Sequence, residues 1–134
     1  MTDSVFTRIA RREIPAAIVF EDDLVIAFMD AGQVSPGHVL VATRRQVETL
    51  MELDEAEAAH LFAIATRVAK AVQSAFSPAG MTLLQTNKPE GWQTVPHVHV
   101  HVLPRHADDG VGLVWPRKDP PLAELQTLAK RIRM

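Results

Sequence analysis

The segment His97–Val102 alternates histidine with valine, and this pattern constrains the fold more than any other feature of the chain. Successive side chains of a β-strand point to opposite faces, so a strand here carries imidazoles on one face and valines on the other. The whole chain contains six histidines, so half of them fall on this one face. Clustered titratable groups are typical of functional sites. The pattern therefore predicts a strand with a histidine row above an apolar core, formed by His97, His99 and His101.

The composition predicts a single globular domain over 1–134, with its core in 4–105 and a C-terminal tail and helix in 106–134. The 134 residues are 47% hydrophobic and 22% charged, with a net charge of -2, which gives no reason to expect a nucleic-acid or membrane partner. Cysteine is absent, which excludes disulfides, thiolate metal ligands and cysteine nucleophiles. The N-terminal segment lacks the apolar core of a signal peptide, so we expect a cytoplasmic protein.

Hydrophobic periodicity and turn signals predict an antiparallel α+β fold. Ser4 offers an N-cap for a short N-terminal helix, and a long amphipathic helix is predicted over 54–76 with Asp54 as its cap. The predicted strands before the histidine strand cover 17–20, 24–29, 38–43 and 81–86. The predicted C-terminal helix covers 120–134. We expect the 81–86 strand to pair with the histidine strand and the long helix to cross one face of the sheet.

Three hypotheses explain the histidine row. A zinc ion could be bound by two of the histidines with a third ligand from His38 or Asp30, but His97 and His101 would lie about 13 Å apart along a strand, too far to share one ion. A pH-responsive binding surface would need no particular loop beside it, yet the segment GWQT followed by proline precedes the row. Nucleophilic catalysis at phosphorus needs a neutral imidazole with cationic or hydrogen-bonding neighbours, which a row of histidines supplies.

The chain resembles the histidine triad (HIT) family of nucleotide-binding hydrolases and transferases in several segments, SVFTRIARREIPAAIVFEDD, VIAFMDAGQVSPGHVLV, NKPEGWQTV and HVHVHVLPR, and in the long helix between them. The resemblance covers 4–105 and is to the branch of purine-nucleoside phosphoramidases and bacterial HIT proteins. It implies a HIT-like antiparallel sheet, a homodimer and a purine nucleotide substrate with an AMP or GMP moiety. It also implies cleavage at the α-phosphate of a phosphoramidate or dinucleoside polyphosphate, without a metal or other cofactor.

By position, the resemblance makes His99 the nucleophile that takes the nucleotidyl group, and His97 the residue whose backbone carbonyl orients the His99 ring. It makes His101 and His38 contacts of the phosphate. The polar residues that it implies near the scissile bond and the phosphate are Gln93, Thr94 and Asn87. The nucleoside contacts that it implies are Phe6, Ile9, Phe28 and Leu40, with Asp30 for the ribose hydroxyls. Alternatively, the four apolar residues are ordinary core and Asp30 only caps a turn.

Three positions depart from the family pattern. Thr7 and Ala10 stand in the region where some relatives have cysteines that bind a structural zinc ion, so we expect no such site. Trp92 stands where the family usually has a small residue, and its indole would narrow the leaving-group side. The family branch that transfers uridylyl groups has glutamine as the third member of the triad, so His101 argues against that activity.

The remaining aromatic and imidazole side chains have weaker assignments. Trp115 resembles a tryptophan that reaches the substrate at the dimer interface of some relatives, although a packing role fits equally well. We expect His60 and His106 to be solvated rings without a function. The sequence thus favours a nucleotide hydrolase with a histidine nucleophile, and the alternative is a non-catalytic nucleotide-binding or zinc-binding module.

Overall fold

The computed structural model describes residues 2–134, which form three helices and five strands. The elements in chain order are α1 (Val5–Ala10), β1 (Ile18–Glu21), β2 (Val25–Met29), β3 (Val39–Thr43), α2 (Glu55–Phe76), β4 (Gly80–Gln85), β5 (His99–Arg105) and α3 (Leu122–Ile132). Short 3₁₀ turns at Leu50–Glu52 and Pro89–Gly91 lie in the connections before α2 and β5. Within these residues, no helix combines the length and the hydropathy that crossing a bilayer requires.

The strands form one antiparallel sheet in the order β1-β2-β3-β5-β4. β5 lies between β3 and β4, where Leu40 is opposite His101 on one side and Leu84 is opposite it on the other. The predicted α+β fold, with one long helix and a short N-terminal helix, is confirmed. The predicted pairing of the strand after α2 with the histidine strand is confirmed as well.

The two faces of the sheet have different contents. On one face Val98, Val100 and Val102 have no exposed surface and pack with Leu61 and Val68 of α2. On the other face, under α1, lies a second buried cluster that consists of Phe6, Ile9, Ile26, Phe28, Leu40 and Ala42. The histidines share this second face with α1, because side chains alternate along β5.

Local signals in the sequence explain the ends of several elements. The Ser4 hydroxyl accepts a hydrogen bond from the Thr7 amide at the start of α1, and the Asp54 carboxylate caps α2 by accepting from the Glu57 amide. Both predicted caps are confirmed. Gly37 has a φ of 100°, and a Cβ there would lie 2.7 Å from the Phe76 ring, so the turn before β3 requires glycine.

Two sequence-based expectations are wrong. His97 is not part of the strand, which begins at His99, because the amide of His97 bonds to the Val95 carbonyl and the amide of Val98 bonds to the Val47 carbonyl. His60 is not a free solvated ring, because its Nε2 lies 2.6 Å from a carboxylate oxygen of Asp22. His106 is exposed, as expected.

Candidate active site

A cavity of about 470 Å³ lies between α1 and the face of the sheet that carries the histidines. Eight predicted site residues line it: Phe6, Ile9, Phe28, Asp30, Leu40, Thr94, His99 and His101. The α1–β1 connection, which was not predicted to be part of the site, also lines the cavity with Ile14, Pro15, Ala16 and Ala17. An Ile-Pro step just after an amphipathic turn was the available signal, since apolar residues in a loop usually pack on something. The cavity is mostly apolar, with its imidazoles and one carboxylate on one side.

His99 has one ring nitrogen bonded and one available. Its Nδ1 lies 2.6 Å from the backbone carbonyl oxygen of His97. A carbonyl oxygen only accepts, so Nδ1 carries the proton and Nε2 keeps its lone pair. No hydrogen-bond partner of Nε2 lies within residues 2–134, and the ring lines the cavity. The ring of Phe6 contacts the ring of His99 edge-on at 4.8 Å between centroids and limits its rotation.

His101 is held in the opposite tautomer. Its Nδ1 lies 3.0 Å from Nε2 of His38, and Nδ1 of His38 lies 3.5 Å from the amide of Val34. The amide can only donate, so His38 carries its proton on Nε2 and donates it to His101, with the Asp30 carboxylate 3.4 Å away. His101 Nδ1 is then an acceptor and its Nε2 is a donor. Neighbouring rings 5.0 Å apart therefore offer a nucleophile on His99 and a hydrogen-bond donor on His101.

Burial keeps these rings neutral. It lowers the pKa of His99, although the hydrogen bond to His97 and the charge of Asp30 act in the opposite direction. Burial likewise lowers the pKa of His38 against the effect of Asp30. The pKa of His101 falls to about 4, first because of burial and then because of His99 and His38. At neutral pH the rings are uncharged, which is the state that a nucleophilic imidazole needs.

Residues 11–108 match the family described as HIT domain. The chain belongs to the HIT family. It is 37% identical over 112 residues to Protein hit of Bacillus subtilis (strain 168), with 83% of this chain and 77% of that protein covered. It is 30% identical over 129 residues to adenosine 5'-monophosphoramidase hnt1 of Schizosaccharomyces pombe, with 96% and 94% covered.

A solved structure agrees with the sequence relatives. The crystal structure of a member of the HIT family from Bacillus subtilis superposes with a TM-score of 0.92 at 34% identity, covering 98% of this chain and 95% of that chain. The HIT family therefore accounts for both the motif and the fold. The family includes nucleotide hydrolases, since the relative from Schizosaccharomyces pombe is an adenosine 5'-monophosphoramidase.

Four predicted residues of the HIT site lie off the cavity surface. His38 is 3% exposed, and its Nε2 bonds to Nδ1 of the His101 ring. His97 is 1% exposed, and its carbonyl holds His99. The Gln93 amide oxygen accepts from the Lys88 amide, and its nitrogen donates to the Glu48 carbonyl.

The fourth, Asn87, accepts from the Leu50 amide and also bonds to the side chain of Gln85. These contacts tie the connection between β3 and α2 to the loop that precedes β5. The substrate contacts of Gln93 and Asn87 remain predictions.

Several residues fit both of the interpretations that the sequence left open. Phe6, Ile9, Phe28 and Leu40 line the cavity and also belong to the buried cluster under α1. Asp30 lines the cavity with its carboxylate while one of its oxygens accepts from the Gly32 amide at 2.8 Å, so it caps a turn as well. Trp92, with a φ of 76°, and Trp115 are 57% and 70% exposed.

One group of side chains near the cavity has a spacing suitable for a metal ion. Ligand atoms of Asp30, His38 and His101 all lie within 4.8 Å of one another. The zinc hypothesis considered His38 and Asp30 as sources of a third ligand, and the structure brings both to His101. At Thr7, one of the two positions where we expect no structural zinc site, the hydroxyl donates to the side-chain oxygen of Gln46 at 2.6 Å.

Proposed function

We propose that this chain hydrolyses a bond at the α-phosphate of a purine nucleotide conjugate, a phosphoramidate or a dinucleoside polyphosphate, through a nucleotidyl intermediate on His99. One observation carries the proposal: the His97 carbonyl, 2.6 Å from His99 Nδ1, leaves Nε2 of a neutral ring directed at the cavity. The phosphoramidase activity of the relative from Schizosaccharomyces pombe supports the same chemistry.

The reaction has two steps. In the first, the Nε2 lone pair of His99 bonds to the α-phosphorus and the bond from phosphorus to the leaving group breaks. A leaving amine takes the electron pair and a proton from solvent, whereas a leaving phosphate takes the electron pair alone. His99 then carries its Nδ1 proton and a nucleotidyl group, and the His97 carbonyl stabilises the resulting positive charge. In the second step, water attacks phosphorus and releases a proton to solvent, the bond to Nε2 breaks with its electron pair returning to His99, and a nucleoside monophosphate leaves.

The other cavity residues bind and orient the nucleotide in this scheme. The base lies against the apolar side chains of Phe6, Ile9, Phe28 and Leu40, because a purine buries its faces best on apolar surface. Asp30 accepts from the ribose hydroxyls with the oxygen that does not cap the turn. The donor on His101 Nε2 contacts a phosphate oxygen, and His38 acts through His101.

The leaving-group side involves the loop before β5. Thr94 lines the cavity, so its hydroxyl can reach the scissile bridge without rearrangement. Gln93 and Asn87 must exchange present hydrogen bonds in order to contact substrate, since their amides are bonded within the loops. Trp92 is exposed beside them and narrows that side for bulky leaving groups.

The experiment is a turnover assay with adenosine and guanosine phosphoramidates and a diadenosine polyphosphate. Wild-type protein is expected to release AMP or GMP, His99→Ala to release none, and His106→Ala to match wild type. His106 is the matched control because it is an exposed histidine outside the cavity. Equal turnover by His99→Ala and wild type would contradict the mechanism, and nucleotide binding without turnover by wild type would identify a non-catalytic binding module.

A zinc-binding module is the second candidate, because the ligand atoms of Asp30, His38 and His101 lie within 4.8 Å of one another. Elemental analysis of the purified protein and assay with a strong chelator separate the two functions. The proposed enzyme keeps full turnover in chelator, since its nucleophile needs no ion. Loss of turnover in chelator and recovery on adding zinc would instead favour a metal-dependent site.

We also propose a homodimer located in the cytoplasm. β4 is an edge strand that exposes Leu83, and α3 exposes apolar side chains at Leu122, Leu125, Leu128 and Ile132. Exposed apolar surface and an open strand edge favour a protein partner, and a second copy satisfies the symmetry that most assemblies have. Analytical ultracentrifugation at micromolar concentration is expected to give twice the monomer mass. A monomer would contradict this part of the proposal.

A further inference from the structure

His97 is the one histidine of the row whose ring does not line the cavity, and its ring is nevertheless fully bonded. The residue is 1% exposed. Its Nε2 lies 2.6 Å from the backbone carbonyl of Thr43, and its Nδ1 lies 2.5 Å from the hydroxyl of Ser4. The backbone carbonyl of His97 orients His99, but that role does not explain why the His97 ring is bonded at both nitrogens.

The direction of each hydrogen bond follows from the partners. The Thr43 carbonyl can only accept, so Nε2 of His97 carries the proton. Burial lowers the pKa of His97, which keeps the ring neutral with that single proton. Nδ1 is therefore an acceptor, and the Ser4 hydroxyl is the donor. Ser4 supplies the hydrogen bond that completes the His97 ring.

Further contacts hold Ser4 in place. Its hydroxyl oxygen accepts from the Thr7 amide at 3.1 Å, which caps α1, and lies 3.3 Å from the Thr7 hydroxyl. The Ser4 amide and the Thr7 hydroxyl both donate to the side-chain oxygen of Gln46, at 2.7 Å and 2.6 Å. Ser4 and Thr7 are buried, so these bonds form away from bulk water. We call Ser4, Thr7, Gln46 and the His97 ring the Ser4 network.

The Ser4 network lies next to the backbone carbonyl that orients His99, and this carbonyl is outside regular secondary structure. His97 precedes the first residue of β5, so regular pairing of that strand does not fix the carbonyl that accepts from His99 Nδ1. The ring contacts supply part of that restraint, together with the bond from the Val98 amide, which belongs to the same peptide group, to the Val47 carbonyl. The same hydroxyl begins α1, whose Phe6 contacts the rings of both His97 and His99 edge-on, at 5.6 Å and 4.8 Å.

We propose that Ser4 is a positioning residue for the nucleophile: its hydroxyl donates to His97 Nδ1, holds the His97 carbonyl against His99 Nδ1, and joins the nucleoside-binding helix to the catalytic strand. This inference rests on the proposed function of His99 as nucleophile. Ser4 touches neither substrate nor reacting atoms. It acts through His97.

Three substitutions separate the donor role of Ser4 from its capping role. Ser4→Thr keeps a hydroxyl that both caps α1 and donates to His97. Ser4→Gly removes the hydroxyl but keeps a residue type that is only slightly worse than serine as an N-cap, so it removes the donor and largely keeps the start of α1. Ser4→Ala removes both roles. Thermal unfolding and circular dichroism establish that each variant is folded at the assay temperature.

The kinetic expectation is a loss in kcat without a matching loss in nucleotide binding. Ser4→Ala and Ser4→Gly are expected to lower kcat about tenfold to a hundredfold, because a small displacement of a nucleophile has an effect of this size. The dissociation constant of AMP is expected to change far less, since the cavity residues are untouched. Ser4→Thr is expected to stay close to wild type. Wild-type kcat in Ser4→Gly would overturn the proposal and leave helix capping as the role of Ser4.

Nuclear magnetic resonance of the free protein tests the network without substrate. In wild type and Ser4→Thr, the His99 Nδ1 proton is expected to be protected from solvent exchange and His97 to be protonated only on Nε2. In Ser4→Ala and Ser4→Gly the His99 proton is expected to exchange faster.

The two arms also separate this inference from the proposed function. Absence of turnover in wild type, with the His99 proton protected there and exchanging in Ser4→Ala, would remove the proposed function and keep the network. Equal protection of the His99 proton in all four proteins would overturn the network whatever the activity.

Discussion

The two faces of β5 are held by different kinds of contact. On one face, three valines pack against α2, and each contributes dispersion and burial largely independently of the others. On the opposite face, each imidazole depends on another polar group: His99 on the carbonyl of His97, and His101 on the ring of His38. The stability losses from removing separate packing contacts simply add. When one member of a hydrogen-bond chain is removed, the other members are affected as well.

Because of this difference, residues that are neighbours in sequence are expected to affect different measured quantities, either stability or turnover. Substitutions of the valines are expected to change the free energy of unfolding and leave the chemistry alone. Substitutions of the histidines are expected to change turnover or its pH dependence more than stability. Paired measurements of turnover and of the free energy of unfolding test this separation.

His99→Asn is expected to lower turnover by about four orders of magnitude or more, because it removes the nucleophile. The free energy of unfolding is expected to change by no more than about 2 kcal/mol, as for most buried substitutions of similar size. Hydrolysis kinetics and urea unfolding measure the two quantities, with His106→Asn as the control. A loss of stability large enough to explain the loss of turnover would break the separation of the faces.

The free energy of unfolding is expected to fall by roughly 1 to 2 kcal/mol for His101 alone between pH 6.5 and pH 5. Its folded pKa of about 4 lies below the value of the unfolded chain, so the unfolded state takes up the proton first as pH falls. Stability from this group is present above pH 6.5 and is lost on acidification. Urea unfolding at both pH values is expected to show a smaller difference for His101→Asn than for wild type, and an identical difference would contradict the assignment.

Val100→Ala is expected to lower the free energy of unfolding by about 2 kcal/mol, because it removes two fully buried methyl groups from the contact with α2. Turnover per folded molecule is expected to match wild type. Val19→Ala is the control, since Val19 is 48% exposed and its truncation is expected to cost less than about 0.5 kcal/mol. Wild-type stability with reduced turnover in Val100→Ala would show that the faces are coupled.

The regular elements followed from local patterns in the sequence. The alternation around β5 predicted which face each side chain occupies, and the spacing of apolar residues predicted α2 with Asp54 at its start. The pattern failed at His97, because alternation in sequence continues into a segment whose amides bond to Val95 and Val47 instead of a regular strand pair. Periodicity reports side-chain direction and carries no information about such bonds.

The parts of the site that depend on distant contacts were not predictable from the sequence. Ser4 and His97 are 93 residues apart, and His38 and His101 are 63 residues apart, so only the folded chain brings these pairs together. For Ser4 the sequence indicated only a helix cap, and for Gln46 it indicated only a polar residue after a strand. Trp92 and Lys88 adopt a positive φ without being glycine, which no turn signal in the sequence indicated.

The most direct test of the account is the identity of the atom that carries the nucleotidyl group during turnover. Wild-type protein mixed with an adenosine phosphoramidate, quenched in alkali within one turnover and digested, is expected to yield a peptide with one added adenylyl group, which fragmentation assigns to His99. An adduct on His101 or His38, or full product release with no adduct at any time, would contradict the account.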